Sequence, residues 1–257
     1  MAHQLKVLQS VLSTLLEGGR GVSGTAFPNQ PALALKLYDM EGCPFCRRVR
    51  EVLTLLNLDV QIYPCPKNGK RFRTEAIVAS GESQFPLLID ENTGKVLLES
   101  QAIIDYLFAT YGKNGKTPKK WQNLSESAFG GILISAASGM RGLTAHTGNS
   151  SRAAPEQLLE LWSFEASPYS RPVRERLCEL ELPYVLHNVA KERWQDMGPA
   201  VLRAKPGPYQ PLVGGKREKM LPIMQGKMQV PYLVDPNTGV KMFESKAILQ
   251  YLNRTYA

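Results

Sequence analysis

Two cysteines one helical turn apart are the residues of this chain best suited to chemistry. Cys43-Pro44-Phe45-Cys46 is followed by Arg47, Arg48 and Arg50. Pro44 suits the first turn of a helix, where its missing N–H is not needed, and Val49, Val52, Leu53 and Leu56 then recur along one helical face. Cys43 is therefore expected at a helix start, where unpaired N–H groups and the dipole favour an anion. With the arginines close behind, its thiol should fall from about 8.5 toward neutrality and act as a thiolate nucleophile. Cys46 is placed to resolve a mixed disulfide by exchange. The competing reading is a zinc half-site, but the chain has no second Cys-x-x-Cys, and His3, His146 and His187 stand apart from one another. No metal is expected. Cys65 reads as structural, with a redox role as the alternative, and Cys178 as a buried core thiol.

The elements that must hold these residues follow from pattern. Residues 33–38 form a strand that ends in a turn at Glu41-Gly42, the cysteine helix follows, and residues 60–63 form a second strand. A third strand begins at Phe85-Pro86, and Asn92-Thr93-Gly94 is a hairpin signal leading into a fourth. Ser100 is placed to cap the next helix, whose apolar face is Ala102, Ile103, Tyr106 and Leu107. This order, β-α-β, a helix, a β-hairpin and a helix, predicts an α/β sandwich around a four-stranded mixed sheet.

The same pattern occurs twice. At an offset of 124, residues 35–53 and 159–177 share Leu35/Leu159, Glu41/Glu165, Pro44/Pro168, Arg47/Arg171, Arg50/Arg174 and Glu51/Glu175, among others. At an offset of 145, Gln84, Pro86, Asp90, Asn92 and Gly94 recur as Gln229, Pro231, Asp235, Asn237 and Gly239. The second copy therefore carries a 21-residue insertion, read as a loop over residues 206–219. A fainter echo links residues 15–21 with 136–142 and suggests a helix ending in a Gly-rich turn before each copy. The alternative is coincidence between two Gly-containing helix ends. The expected organisation is an N-terminal helix and linker over 1–32, a first domain over 33–111, a linker with a helix over 112–157, and a second domain over 158–257.

Composition narrows the setting. The 257 residues carry a net charge of +8, compatible with nucleic acid, an anionic membrane or small anionic ligands. No aromatic-interleaved basic motif is present, so nucleic acid is not expected. The basic clusters at Lys67–Arg73, Lys116–Lys120 and Lys216–Lys219 fall in expected loops and read as solvated surface. Four cysteines are too few for a disulfide scaffold, and no apolar run approaches the roughly 20 residues of a spanning helix. A cytoplasmic or other reducing compartment is expected. Leu5, Leu8, Val11, Leu12, Leu15 and Leu16 mark an amphipathic helix; membrane contact is the alternative, but with a single Lys on its polar face it should dock onto the sheet domains.

The Cys-Pro-Phe-Cys turn, Phe85-Pro86 before a strand and Glu99-Ser100 opening a helix, in this order and duplicated, resemble the thioredoxin superfamily. More narrowly, the chain is similar to glutaredoxins and to the N-terminal domain of glutathione transferases over residues 33–111 and 158–257. The resemblance implies a thioredoxin-like fold in two tandem copies, with glutathione as co-substrate. It implies Cys43 as nucleophile and Cys46 as resolving thiol, with Pro44 and Phe45 between them at the site. Phe85 and a cis Pro86 would meet the cysteinyl backbone of glutathione, and Glu99 and Ser100 its γ-glutamyl end. Plain helix capping is the structural alternative for that pair. A cation for the glycine carboxylate would come from Lys67, Lys70, Arg71 or Arg73.

In the second copy Ser167 and Ser170 replace the cysteines, so disulfide exchange is not expected there. Val230, Pro231, Glu244 and Ser245 still match the glutathione-contacting segments and form a possible second site. Ser167 would hold a glutathione thiolate, as serines do in some transferase classes, or the copy is degenerate, a reading favoured by Arg171-Pro172 disturbing the helix start. Transferases continue into an all-helical domain; only 46 residues separate Tyr111 from Leu158 and the sequence ends at Ala257, which argues against a conventional conjugating enzyme. The leading expectation is a glutathione-dependent thiol–disulfide oxidoreductase acting on disulfide or glutathionylated substrates, as monomer or dimer. The alternatives are transferase or isomerase chemistry, as in glutaredoxin-like prostaglandin E synthases, and a non-catalytic glutathione- or protein-binding scaffold.

Overall fold

Alternating and near-continuous apolar segments form the strands, and 3.6-residue periodicity forms the helices that cover them. The computed structural model describes residues 2–16, 18–122, 141–147, 154–200 and 203–257. Helix α1 spans Ala2–Leu16. The first copy then runs β1 (Leu35–Asp39), α2 (Pro44–Leu55), β2 (Val60–Pro64), α3 (Arg73–Ser80), β3 (Leu87–Asp90), β4 (Lys95–Leu97) and α4 (Ser100–Tyr111). The second runs β5 (Leu159–Ser163), α5 (Arg171–Glu179), β6 (Tyr184–Asn188), α6 (Lys216–Met220), β7 (Tyr232–Asp235), β8 (Val240–Phe243) and α7 (Ser245–Tyr256). This is the expected α/β, thioredoxin-like architecture in two copies.

The copies share one eight-stranded sheet, ordered β4-β3-β1-β2-β6-β5-β7-β8. Strands β1 and β2 pair in parallel, as do β5 and β6. The junction is antiparallel, with Val60 opposite Leu186 and Ile62 opposite Tyr184. Each copy would otherwise leave β2 or β6 as an open edge, and pairing them satisfies both. The core is continuous across the junction: Leu37, Val49 and Ile103 belong to the same buried cluster as Leu161, Val173 and Ile248.

The faint echo before each copy has a structural counterpart. The Gly21 carbonyl accepts from Ala166 N–H at 3.0 Å, and the Gly142 carbonyl accepts from Gly42 N–H at 3.2 Å. Lys191 N–H then meets the Val22 carbonyl, and Lys67 N–H the Leu143 carbonyl. Each Gly-rich turn thus crosses to the opposite copy. Glycine is required in both turns: φ is +73° at Gly21 and +69° at Gly142, and a Cβ would lie 2.8 Å from the Cβ of Glu165 or Glu41 respectively. The helix expected in the linker before Gly142 lies outside the described residues.

Three expectations are corrected. Glu99, not Ser100, is the N-cap of α4; Ser100 is the first helical residue. Lys216 and Arg217 are buried in α6, not solvated: Lys216 Nζ donates to the Asn57 carbonyl at 2.7 Å and to Asp59 Oδ1 at 2.5 Å, and Arg217 donates to the Val189 and Ala190 carbonyls. Helix α1 does dock, through Thr14 Oγ1 on the Ala166 carbonyl and His3 Nε2 against Ser245 Oγ. Its docked face includes Ser10, however, while Leu5, Leu8 and Leu12 stay exposed, because hydrogen-bonding groups sit on the side that meets the second copy. The disturbance expected at Arg171-Pro172 is present: α5 opens at Arg171, three positions after Pro168, the equivalent of the Pro44 that opens α2, and then runs on to Glu179.

Candidate functional site

Cys43 is the N-cap of α2, in extended conformation, with Pro44 following at the first helical position. Cys46 is fully buried one turn later, and Cys43 is 7% exposed. A hydrogen bond from the Cys46 thiol, followed by the Cys46 and Phe45 backbone N–H groups, lowers the Cys43 thiol to about 7 against the opposing effect of burial. Burial and the neighbouring Cys43 hold the Cys46 thiol well above its usual range. The pair is therefore asymmetric: the Cys43 thiol is lowered and the Cys46 thiol behind it is raised.

The arginines do not serve the cysteine as expected. Arg47 lies 3.8 Å from Glu165, Arg48 pairs with Glu51 at 3.3 Å, and Arg50 pairs with Asp39, with Glu41 at 3.4 Å and with Glu165 at 3.0 Å. Arg50 still favours the Cys43 thiolate, but less than the hydrogen bonds do. In the second copy Arg174 reaches Glu41 at 2.9 Å and Glu165 at 3.1 Å. The arginines and glutamates thus form a buried charge network between the copies. A sequence signal was available: Glu41, Arg47, Arg50 and Glu51 recur as Glu165, Arg171, Arg174 and Glu175 in a copy with serine at both cysteine positions.

The Phe85–Pro86 peptide is cis. Phe85 packs in one cluster with Cys43, Cys46, Cys65 and Tyr38. Gln84, just before it, donates to Glu99 Oε1 at 2.5 Å and so ties the cis-proline loop to the start of α4. Glu99 is held at φ 67°, and Ser100 is 6% exposed behind it. Phe45, 43% exposed, forms the outer rim. Of the four candidate cations, Lys67 and Lys70 are exposed and Arg71 donates to the Leu180 and Glu181 carbonyls. Arg73 stands nearest the site, its guanidinium 4.8 Å from the centre of the Phe85 ring and one nitrogen on the Cys65 carbonyl.

Cys65 shares the cluster, but burial and Asp39 push its thiol up, which suits packing. Cys178 is buried between the copies, its thiol 3.1 Å from the Gly142 carbonyl. Among the described residues no group of three or more His, Cys, Asp or Glu side chains could hold a metal, and no helix is long and apolar enough to cross a membrane.

The second copy repeats the geometry with oxygen in place of sulfur. Ser170 Oγ donates to Ser167 Oγ at 2.9 Å, and Ser170 N–H points at the same oxygen at 3.3 Å. Val230–Pro231 is cis, and Gln229 donates to Glu244 Oε1 at 2.5 Å. A cavity of ≈ 190 Å³ lies against Tyr169, Gln229, Val230, Pro231, Glu244 and Ser245. Sequence reasoning missed Tyr169 and the His3 contact to Ser245; the first was legible as the partner of Phe45 at offset 124, the second only through the docking of α1.

The model of the glutathione S-transferase N-terminal domain matches residues 37–116 and again 161–257. A solved glutathione transferase of Bombyx mori is 31% identical over 33% of this chain and 39% of its own, with a TM-score of 0.30. A second structure of that transferase, a complex, is 32% identical over 35% of this chain and 42% of its own, with a TM-score of 0.32. The chain thus spans less than half the length of these relatives, and no curated protein matches it. With two matches that together cover more than half its length, the chain belongs to the glutathione S-transferase N-terminal domain family.

Proposed function

We propose that this protein is a glutathione-dependent thiol–disulfide oxidoreductase working through Cys43. The observation that carries this reading is the Cys43 thiol, lowered to about 7 at a helix N-terminus and backed by the protonated Cys46. At neutral pH about half of such a thiol is thiolate, the reactive form in exchange. The thiolate attacks the glutathione sulfur of a mixed disulfide, R–S–S–G. A new S–S bond forms between Cys43 and the glutathione sulfur, the original S–S bond of the mixed disulfide breaks, and R–S⁻ leaves and takes up a proton. A second glutathione thiolate then attacks the glutathione sulfur held on Cys43, releasing glutathione disulfide and regenerating the Cys43 thiolate. In a dithiol cycle Cys46 gives up its proton and attacks the Cys43 sulfur instead, glutathione leaves as its thiolate and is protonated, and two further glutathiones reduce the Cys43–Cys46 disulfide, leaving as glutathione disulfide. Phe85-Pro86, Glu99, Ser100 and Arg73 would hold the tripeptide, and the second copy would act as partner domain.

The test is glutathione-coupled reduction of a small mixed disulfide by wild type, Cys43→Ser and Cys46→Ser. Turnover lost only in Cys43→Ser supports a monothiol cycle, and loss in both supports a dithiol cycle. A wild type that binds glutathione without turnover sinks the oxidoreductase reading and leaves the scaffold.

One observation favours a second reading, glutathione held by the second copy in the manner of a transferase. Ser167 Oγ already accepts from Ser170, so its own proton is available for a thiolate in the cavity that Ser167 lines with Tyr169 and Val230. Equilibrium dialysis of glutathione should then show two sites, one of them lost in Ser167→Ala. A single site that is unchanged in Ser167→Ala removes this reading.

A further inference from the structure

Ser167 and Pro168 line a larger cavity of ≈ 560 Å³, which shares the wall of Tyr169, Pro199, Ala200 and Val230 with the smaller one. That size falls among small-molecule sites, about 300–1,000 Å³. Part of its wall comes from segments outside the repeated elements. Val11 and Thr14 on α1 and Val22 after it close one side; Met197 and Arg203 on the connection after β6 and Met228 before β7 close another. Phe164 and Ala166 form the floor. The surface is mostly apolar but contains three cations, Lys191, Arg203 and Arg217.

Their partners are uncharged. Lys191 Nζ donates to the Gly198 carbonyl at 2.5 Å, Arg203 to the Met228 carbonyl at 2.8 Å, and Arg217 to the Val189 and Ala190 carbonyls. No described carboxylate forms an ion pair with any of them. The one acid lining the cavity, Asp196, accepts instead from the Glu192 and Arg193 backbone and pairs with the Arg193 guanidinium. Asp196 is the one carboxylate that acts on Lys191 and Arg203, so a single acid faces three cations. Burial, then Arg217, lowers the Lys191 ammonium to about 8, and cations withdrawn from water without full compensation are costly. An anion entering this space would offset that cost.

We propose that this cavity binds an organic anion with an apolar body, in the manner of a medium-chain carboxylate. The apolar body would lie against Val11, Val22, Phe164, Met197 and Met228, with its charged end toward Lys191, Arg203 and Arg217. This site is separate from Cys43 and does not require exchange chemistry there.

The test is calorimetric titration of the full chain with dodecanoate and, in parallel, with dodecyltrimethylammonium, which has a tail of the same length and the opposite charge. Dodecanoate should bind at least about tenfold more tightly, the scale of one charge-assisted contact. Arg203→Gln should weaken dodecanoate by about tenfold while Arg203→Lys retains most of the affinity. Met197→Trp, which fills the apolar part, should abolish binding. Arg203 is only half-buried, so its variants keep the test valid if Met197→Trp fails to fold. Absence of dodecanoate binding, equal affinity for the cationic amphiphile, or wild-type affinity in Arg203→Gln overturns the proposal.

Discussion

Arg50 of the first copy donates from Nε to Glu165 Oε2 of the second at 3.0 Å, and the equivalent Arg174 donates to Glu41 Oε1 at the same distance. The two pairs are related by the offset of 124 that relates the copies. All four side chains are at most 5% exposed. Around them Arg141 reaches Glu175 at 2.7 Å and Arg20 reaches Glu51 at 3.8 Å, again as equivalents. The first copy therefore completes the charges of the second, and the second completes those of the first.

Arg174→Met should destabilise the protein by about 3–5 kcal/mol, because Glu41 and Glu165 would keep buried charge with Arg50 as their remaining shared partner. Arg174 also donates to Ser163 Oγ and to the Phe164 and Glu165 carbonyls, which would lose those bonds. Urea unfolding measures this, with the exposed Lys95→Met as a control expected within about 0.5 kcal/mol of wild type. A loss below about 1 kcal/mol for Arg174→Met would show that the network does not hold the copies together.

The network also sets an acid limit. Burial pushes the Glu165 carboxyl up, but Arg174 and Arg50, aided by Arg171 and Arg47, pull it down to about 2, below its ordinary 4.5. A carboxyl lowered in the folded state contributes stability above its unfolded value and loses it as pH falls through the folded one. Wild-type stability should therefore decline as pH drops from 4.5 toward 2, and Glu165→Gln should flatten that limb. Urea midpoints collected across this range test it, and parallel curves for the two proteins would count against the assignment.

For the thiol, the largest cause of activation is the Cys46 hydrogen bond rather than the arginines. Alkylation of Cys43 should rise with a midpoint near pH 7 in wild type. Cys46→Ala should move it toward the ordinary thiol value of about 8.5. Cys46→Ser should move it less, since Ser170 makes the same bond to Ser167 in the second copy. Mass-spectrometric alkylation rates against pH provide the readout; an unshifted midpoint in Cys46→Ala would assign the activation to the helix terminus instead.

The sequence by itself determined the repeat, the order of elements, the helix start at Cys43 and the chemical difference between a cysteine copy and a serine copy. These are local properties, because apolar period, turn residues and the identity of a nucleophile are all read within a few residues. Even the paired glycines at 21 and 142 left a trace, although only their close approach to Glu165 and Glu41 explains why each must be glycine. The tertiary structure decided where the arginines point, because a buried charge is assigned by whichever opposite charge the fold brings beside it. It decided that Lys216 and Arg217 are buried, since Asp59 and the carbonyls that receive them lie far away in sequence. It also decided that α1 and the segments around α6 build an apolar, cationic cavity over the serine copy. A cavity is the space left between elements, and its walls come together only when β2 pairs with β6 and α1 settles on the second copy.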